Sequence, residues 1–336
     1  MLVALHNGKG WNQQWIQYCI KKNVSHVVLD FYSSDIINKL KELKVTHLLW
    51  YFHHASYRDK MMARNVLFSA QKMGIKVYPD FDTCWYFDDK VSEKYMFEAI
   101  GAPLAKTDVF YDKKSAIEFL KQVKYPLVFK LRGGAGAANV RLVKSYKQAM
   151  RLVLKAFSSG FSQFNSIGYL QERIQKYSIG KGDVKSLLKG IGRLFIPTEF
   201  SKLYPKEIGY VLFQEYIEND GYDIRIEMVG DKCWGERRGV RENDFRASGS
   251  GHYDQNPDNI SKDIVKLAFD LKDKLNAQSM AFDFVIDKQG NAKVIEMSYA
   301  FGFVEGDGEF YWDRNQVIHP VKINAAYLII EELINI

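Results

Sequence analysis

Short apolar runs alternate with helix-length amphipathic stretches through residues 1–87. The runs at 2–7, 26–32, 46–52 and 75–81 are rich in Val, Leu, Ile, Tyr and Phe and predict strands. The stretches at 11–23, 34–44 and 57–73 predict helices, with Ser34 as N-cap of the second. Strands separated by helix-length segments imply βαβ units and a parallel sheet. Ligands of such sheets sit beyond the carboxyl ends of the strands. That rule singles out Asn7 after the first strand and His53, His54 and Arg58 after the third as substrate contacts. A histidine pair in a loop can equally be incidental.

From residue 88 the periodicity changes. DDKVSEKYMFEAIG reads as an amphipathic helix that stops at Gly101, with Pro103 just beyond. Strands follow at 125–131 and 140–144 around a Gly-rich loop, then a helix at about 146–157. Further strands are predicted at 210–217, 223–230, 280–287 and 291–299. A helix at about 261–275 precedes the last two, and KINAAYLIIEELI is a final helix. Asp287-Lys-Gln-Gly290 supplies the turn between those strands. No repeat or low-complexity tract is evident.

Composition narrows the class. The 336 residues carry 47 Lys+Arg against 40 Asp+Glu, a net +7, with 47% hydrophobic residues, which is a globular balance. No apolar run approaches the roughly 20 residues of a membrane span. MLVALHNGKGW has neither a charged leader nor a small-residue cleavage site, so a cytoplasmic protein is expected. Cys19, Cys84 and Cys233 form no CxxC pattern, and their odd number argues against a disulfide scaffold. Residues 158–209 stand apart, with eight basic and four acidic residues. Lys181, Lys185 and Lys189 recur every fourth position there, and Leu187, Leu188, Ile191 and Leu194 could form an apolar side. This insertion is either a solvated helical face or a lid or docking surface for an anionic or lipid-linked substrate.

Three clusters carry candidate chemistry. Lys130-Leu-Arg-Gly-Gly-Ala-Gly follows a strand, and backbone N–H groups of a Gly-rich turn can approach phosphate oxygens beside a lysine. It is no Walker loop, since GKS or GKT is missing. Next comes LFQEYIENDGYDIRIEMVGDK, followed by ERRGVRENDFRASGSG. Gln214-Glu215-Tyr216-Ile217 could meet an adenine edge, and Asp223 could accept from ribose hydroxyls. Arg225, Arg237, Arg238, Arg241 and Arg246 are dense enough to grip phosphate or carboxylate; the alternative is an exposed basic sheet face. Last, Asp283 and Glu296-x-Ser298 lie on successive strands, and hard oxygens of this kind suit Mg²⁺.

In this order the clusters resemble the ATP-grasp superfamily over roughly residues 88–302. The stretch from LFQEYIENDGYDIRIEMVGDK to DFRASGSG is similar to the glutamate-ligase branch that modifies ribosomal protein tails. The resemblance implies an α/β fold: an N-terminal parallel α/β domain (1–87), then an ATP-grasp fold of two α+β subdomains (88–212 and 213–336). It implies ATP and Mg²⁺, with Lys90 and Lys130 on phosphates and Gly133, Gly134, Ala135 and Gly136 as the mobile phosphate loop. Gln214, Glu215, Tyr216 and Ile217 would form the adenine hinge, Asp223 the ribose acceptor, and Asp283, Glu296 and Ser298 the metal ligands. The family usually has Asn where this chain has Ser298, a hydroxyl of shorter reach. Arg225, Arg238 and Arg246 would act on the transferring phosphate or the carboxylate. The implied reaction is amide formation from a small-molecule carboxylate and an amine through an acyl phosphate.

The aromatic–acidic segment YAFGFVEGDGEFYWDRNQVIHP suggests a sugar-like acceptor, such as a uronic acid of surface-polysaccharide biosynthesis; a loop packed by its aromatics is the alternative. Two other classes stay open. A kinase of the same architecture would form ADP without an amide. A basic nucleic-acid-binding module is permitted by charge, but no recognised motif supports it, so no nucleic-acid partner is expected. A homodimer is allowed.

Overall fold

The computed structural model describes residues 1–134, 139–163, 168–170, 173–174, 177, 183–196, 203–241, 244–247, 250–302 and 308–335. Ala135 and Gly136 of the expected phosphate loop lie outside these residues. So do Glu172, Lys176, Lys181, Glu199 and Lys202 of the insertion, and Phe303, Glu305 and Asp307 of the aromatic–acidic segment. The chain forms two compact units, Met1–Ala105 with Ile217–Ile336, and Lys106–Tyr216.

The chain begins with alternating strands and helices: β1 (Val3–His6), α1 (Trp11–Lys21), β2 (His26–Leu29), α2 (Ile36–Glu42), β3 (His47–Leu49), α3 (Tyr57–Lys72) and β4 (Lys76–Tyr78). The strands pair in parallel in the order β2–β1–β3–β4, as the alternation predicts. β1 is buried along its whole length, because helices cover both faces of such a sheet. The expected Ser34 cap is not used. α2 starts one residue later with Asp35 at the cap position, and Asp35 makes no capping bond. Its carboxylate is held by the Ser33 hydroxyl and by Lys39 instead. α4 (Phe81–Cys84) and α5 (Lys90–Ala99) follow. Asp89 caps α5 by accepting from the N–H groups of Val91 and Ser92, and Gly101 ends it at φ 67°.

The second unit contains β5 (Thr107–Phe110), α6 (Lys113–Gln122), β6 (Leu127–Lys130), β7 (Val140–Val143), α7 (Tyr146–Ala156), α8 (Val184–Phe195) and β8 (Val211–Glu215). Its sheet is antiparallel in the order β5–β8–β6–β7, and β6 and β7 form the expected hairpin around the Gly-rich loop. Leu120, Phe129, Val153 and Phe213 pack its core.

The chain then returns to the first unit with β9 (Tyr222–Val229), β10 (Lys232–Gly239), β11 (Tyr253–Asp254), α9 (Lys262–Leu275), β12 (Ser279–Ile286), β13 (Ala292–Ser298), β14 (Tyr311–Trp312), β15 (Ile318–His319) and α10 (Ala325–Ile334). The sheet order is β13–β12–β9–β10–β14–β15, with β11 beside β10. Alternation divides its residues. Ile224, Ile226, Met228, Met280, Phe282 and Phe284 enter the apolar core that also holds Val265, Ala268 and Phe269 of α9. Trp15 donates to the Ala326 carbonyl at 2.7 Å and Tyr78 bonds Ser279 at 2.6 Å, tying the parallel sheet to α10 and β12. Tyr299, Phe301 and Trp312 are also core residues, so these three pack the segment and are not free to stack on a sugar.

Candidate functional site

The opposite set of the alternation in the larger sheet is polar. Asp223 and Arg225 on β9, Arg238 on β10, Asp283 on β12 and Glu296 on β13 share one face, because directly opposed residues project to the same side. Asp283 is opposite Arg225 on one flank and Glu296 on the other, in mid-hairpin, with a bulge immediately after it. Ser298 stands two residues beyond Glu296.

This face is not an exposed basic surface. Arg238 is 3% exposed and Asp283 5%. Arg225 Nε and Nη2 donate to the two Asp283 oxygens at 2.8 and 2.9 Å. Arg238 Nε and Nη2 donate to Asp223 at 2.7 and 2.8 Å, and Nη2 also reaches Asp283 at 2.9 Å. Forked pairing is what makes burial of these charges tolerable. Burial works against ionisation of Asp283, but Arg225 and Arg238 outweigh it and hold the carboxyl well below its usual range. Burial likewise opposes the charge on both arginines, yet the Asp283 carboxylate keeps each firmly protonated. Asp223 goes the other way, since burial lifts it despite Arg238.

α5 brings Lys90 to the same region. Its Nζ lies 3.0 Å from Glu296 Oε1 and is almost fully buried, whereas Glu296 keeps 34% of its side chain exposed. Burial disfavours the ammonium, but Glu296, Glu93 and Asp88 override it and raise the Lys90 pKa. Glu93, one turn along α5, accepts from the Met297 N–H at 3.3 Å and so fastens the helix to β13. Asp88 in turn binds Lys60 at 2.6 Å. Asp283, Glu296 and Ser298 offer hard oxygens on one face, the donor chemistry that Mg²⁺ prefers. Both Asp283 oxygens are engaged by arginines, so a cation there would share or exchange those bonds. No group of three or more His, Cys, Asp or Glu is gathered among the described residues.

At the carboxyl ends of the parallel sheet, the His53 and His54 rings lie with centroids 4.0 Å apart, tilted by 37°. The His53 N–H donates to Asp59 at 2.7 Å, and the Tyr32 hydroxyl donates to the other Asp59 oxygen. Burial, then the neighbouring His53, push His54 down to about 4, so it is a neutral imidazole at pH 7. Arg58 sits over the Tyr32 ring at 5.9 Å. Asn7 is exposed beyond β1. The sequence did not single out Asp59, Tyr32, Asp88 or Glu93. Only Glu93 left a signal, its i+3 spacing from Lys90 on a predicted helix.

In the second unit, Lys130 ends β6 and is buried, and Gly133 and Gly134 follow, Gly134 at φ 119°. Gln214 donates to Thr107 at 3.0 Å, and the Glu215 carboxylate accepts from the Lys106 N–H at 2.7 Å. The chain leaves this unit between Tyr216 and Ile217. In the first unit Arg246 clasps Asp244 through Nε and Nη2. A pocket of about 510 Å³ lined by Lys76, Tyr78, Lys272 and Glu332 includes none of these residues.

Known proteins resemble this chain in sequence and in fold. Residues 202–306 match the family described as the RimK-like ATP-grasp domain. Over 231 residues the chain is 24% identical to the alpha-aminoadipate–LysW ligase LysX of Saccharolobus solfataricus, covering 69% of this chain and 68% of that protein. The biotin carboxylase domain of Hydrogenobacter thermophilus 2-oxoglutarate carboxylase, solved with MgADP, ADP and bicarbonate, superposes with a TM-score of 0.59 at 14% identity. It covers 99% of this chain and 70% of that one. The ATP-grasp ligase PsnB, solved with a minimal precursor, gives 0.54 at 14% identity over 99% and 98% of the two chains. The structural likenesses establish the fold.

Proposed function

We propose that this chain, an ADP-forming ATP-grasp ligase, joins a small-molecule carboxylate to an amine, with a uronic acid or amino acid of surface-polysaccharide biosynthesis as the carboxylate. One observation carries the reading: Asp283 and Glu296 directly opposed on one sheet face, with Lys90, Arg225 and Arg238 bonded to them.

In this reading the substrate carboxylate oxygen attacks the γ-phosphorus, and the bond from that phosphorus to the β-bridging oxygen breaks. The amine nitrogen then attacks the acyl carbon, phosphate leaves, and the amine gives up a proton. Such transfers need positioning and charge neutralisation more than covalent help. Lys90 would supply fixed positive charge to phosphates; Lys130 and the Gly-rich loop that starts at Gly133 have the chemistry to do the same. Gln214 to Ile217 would meet the adenine edge, and Asp223 would accept from ribose only by sharing the oxygens that now hold Arg238. Arg225, Arg238 and Arg246 would neutralise the carboxylate and the transferring phosphoryl group by sharing or exchanging the bonds they make to Asp283, Asp223 and Asp244. Glu296, Ser298 and Asp283 would hold Mg²⁺, which supplies charge neutralisation on the phosphate oxygens. Asn7, His53, His54 and Arg58 would meet the carboxylate or amine; burial disfavours the charged imidazole of His54, so its part there is to orient by hydrogen bonding and not to take up a proton.

The sugar class rests on less. Its support is the aromatic–acidic run Glu309 to Asp313; a sugar ring there would have to exchange the stacking of Tyr311 on His319 and the ion pairs of Glu309 with Lys322 and of Asp313 with His319. ADP release from Mg-ATP with an amine and a panel of uronates, nucleotide-linked uronates and amino acids tests it. Release that rises only with a uronate is expected. Release driven by an unrelated carboxylate alone would remove the sugar assignment.

A further inference from the structure

α8 lies within the insertion, and its apolar side faces outward. Val184, Leu188 and Ile191 recur at i, i+4 and i+7 and are 55%, 62% and 43% exposed. The helix is seated by its other flank. Ser186 accepts from Arg173 at 2.9 Å, and Gly190 is buried against the side chains of Leu170 and Arg173, where an added Cβ would lie 3.0 Å from Leu170. Small residues thus form the contact, and the large apolar ones are left outside.

The charge on α8 has one sign. Lys185, Lys189 and Arg193 lie on the helix, which has no acidic residue between Val184 and Phe195. The nearest acid, Asp183, is used as its N-cap, accepting from the Ser186 N–H at 2.7 Å. An apolar stripe flanked by cations on long stems is what an anionic bilayer surface binds: aliphatic side chains enter the headgroup–acyl boundary, and lysines reach the phosphates. A second protein copy would bring the same positive helix and repel it.

We propose that α8 docks this protein onto anionic membrane surfaces, with Val184, Leu188 and Ile191 inserted and Lys185 and Lys189 on lipid phosphates. The inference does not depend on the identity of the ligase substrate.

The test is co-sedimentation of the full chain with vesicles of equal parts phosphatidylcholine and phosphatidylglycerol, and with phosphatidylcholine alone. Binding to the anionic vesicles is expected to exceed the other by roughly tenfold or more and to fade with added salt. Leu188→Asp with Ile191→Asp should abolish binding, and Lys185→Gln with Lys189→Gln should remove the preference for anionic lipid. The circular dichroism spectrum and ADP release away from vesicles should stay unchanged in both variants. Failure to bind either vesicle overturns the proposal. So does binding that survives Leu188→Asp with Ile191→Asp, or light scattering that finds a dimer which that double variant dissociates.

Discussion

Asp283 shows how far single residues could be read from the sequence. Its place on a strand before Glu296-x-Ser298 was legible, and so was the density of arginines. That Arg225 and Arg238 close on Asp283 and Asp223 depends on strand register, which local pattern does not set. The His53–His54 pair was legible only as a position after a strand. Its burial comes from tertiary packing, and it has a measurable consequence. A histidine at about 4 in the folded protein and near 6.5 when unfolded binds fewer protons folded than unfolded across that interval. The stability it costs is absent above pH 6.5 and grows as pH falls toward 4, up to about 3 kcal/mol. Urea midpoints at pH 7 and pH 4.5 should therefore fall more for the wild type than for His54→Gln. Equal losses would show that His54 is not held neutral.

At the scale of elements, α5 is where local signals and the site coincide. Asp89 caps it, Lys90 and Glu93 bind it to β13, and Gly101 ends it; the helix, its Gly101 stop and Lys90 were read from DDKVSEKYMFEAIG, whereas the Asp89 cap and the partners of Lys90 and Glu93 were not. Asp89→Ala removes the acceptor for two orphan N–H groups and should cost about 1 kcal/mol in urea unfolding. It should also slow ADP release, because the first turn that carries Lys90 loosens. A variant with unaltered stability would contradict the capping role. Other elements were less legible. β5 and α6 passed unnoticed, although Asp112 caps α6 through the Ser115 N–H and Ala116 and Leu120 face the core. A four-residue strand with Asp108 at its centre gives little periodicity to detect. Ser34 was a reasonable cap on residue type, but Asp35 occupied the position and its carboxylate went to Ser33 and Lys39. In α8 the apolar stripe was evident, whereas its outward direction is set by the seating of Ser186 and Gly190.

At the scale of the whole molecule, alternation of strands and helices gave the parallel sheet, and the order of Lys, Gly-rich loop, arginines and carboxylates gave the ATP-grasp reading. The division of the chain was harder to see. Residues 1–105 join 217–336 through side chains such as Trp15, Tyr78 and Tyr299, whose partners are hundreds of residues away. The central claim is that this unit's polar sheet face, with Lys90, Asp283 and Glu296, serves an acyl-phosphate reaction. Hydroxylamine trapping tests it most directly, because hydroxylamine intercepts acyl phosphates as hydroxamates. With Mg-ATP and a panel of carboxylates, hydroxamate and ADP should form together, only with a particular carboxylate, and both should disappear in Glu296→Ala. ADP formed without hydroxamate and without any carboxylate requirement would contradict the account.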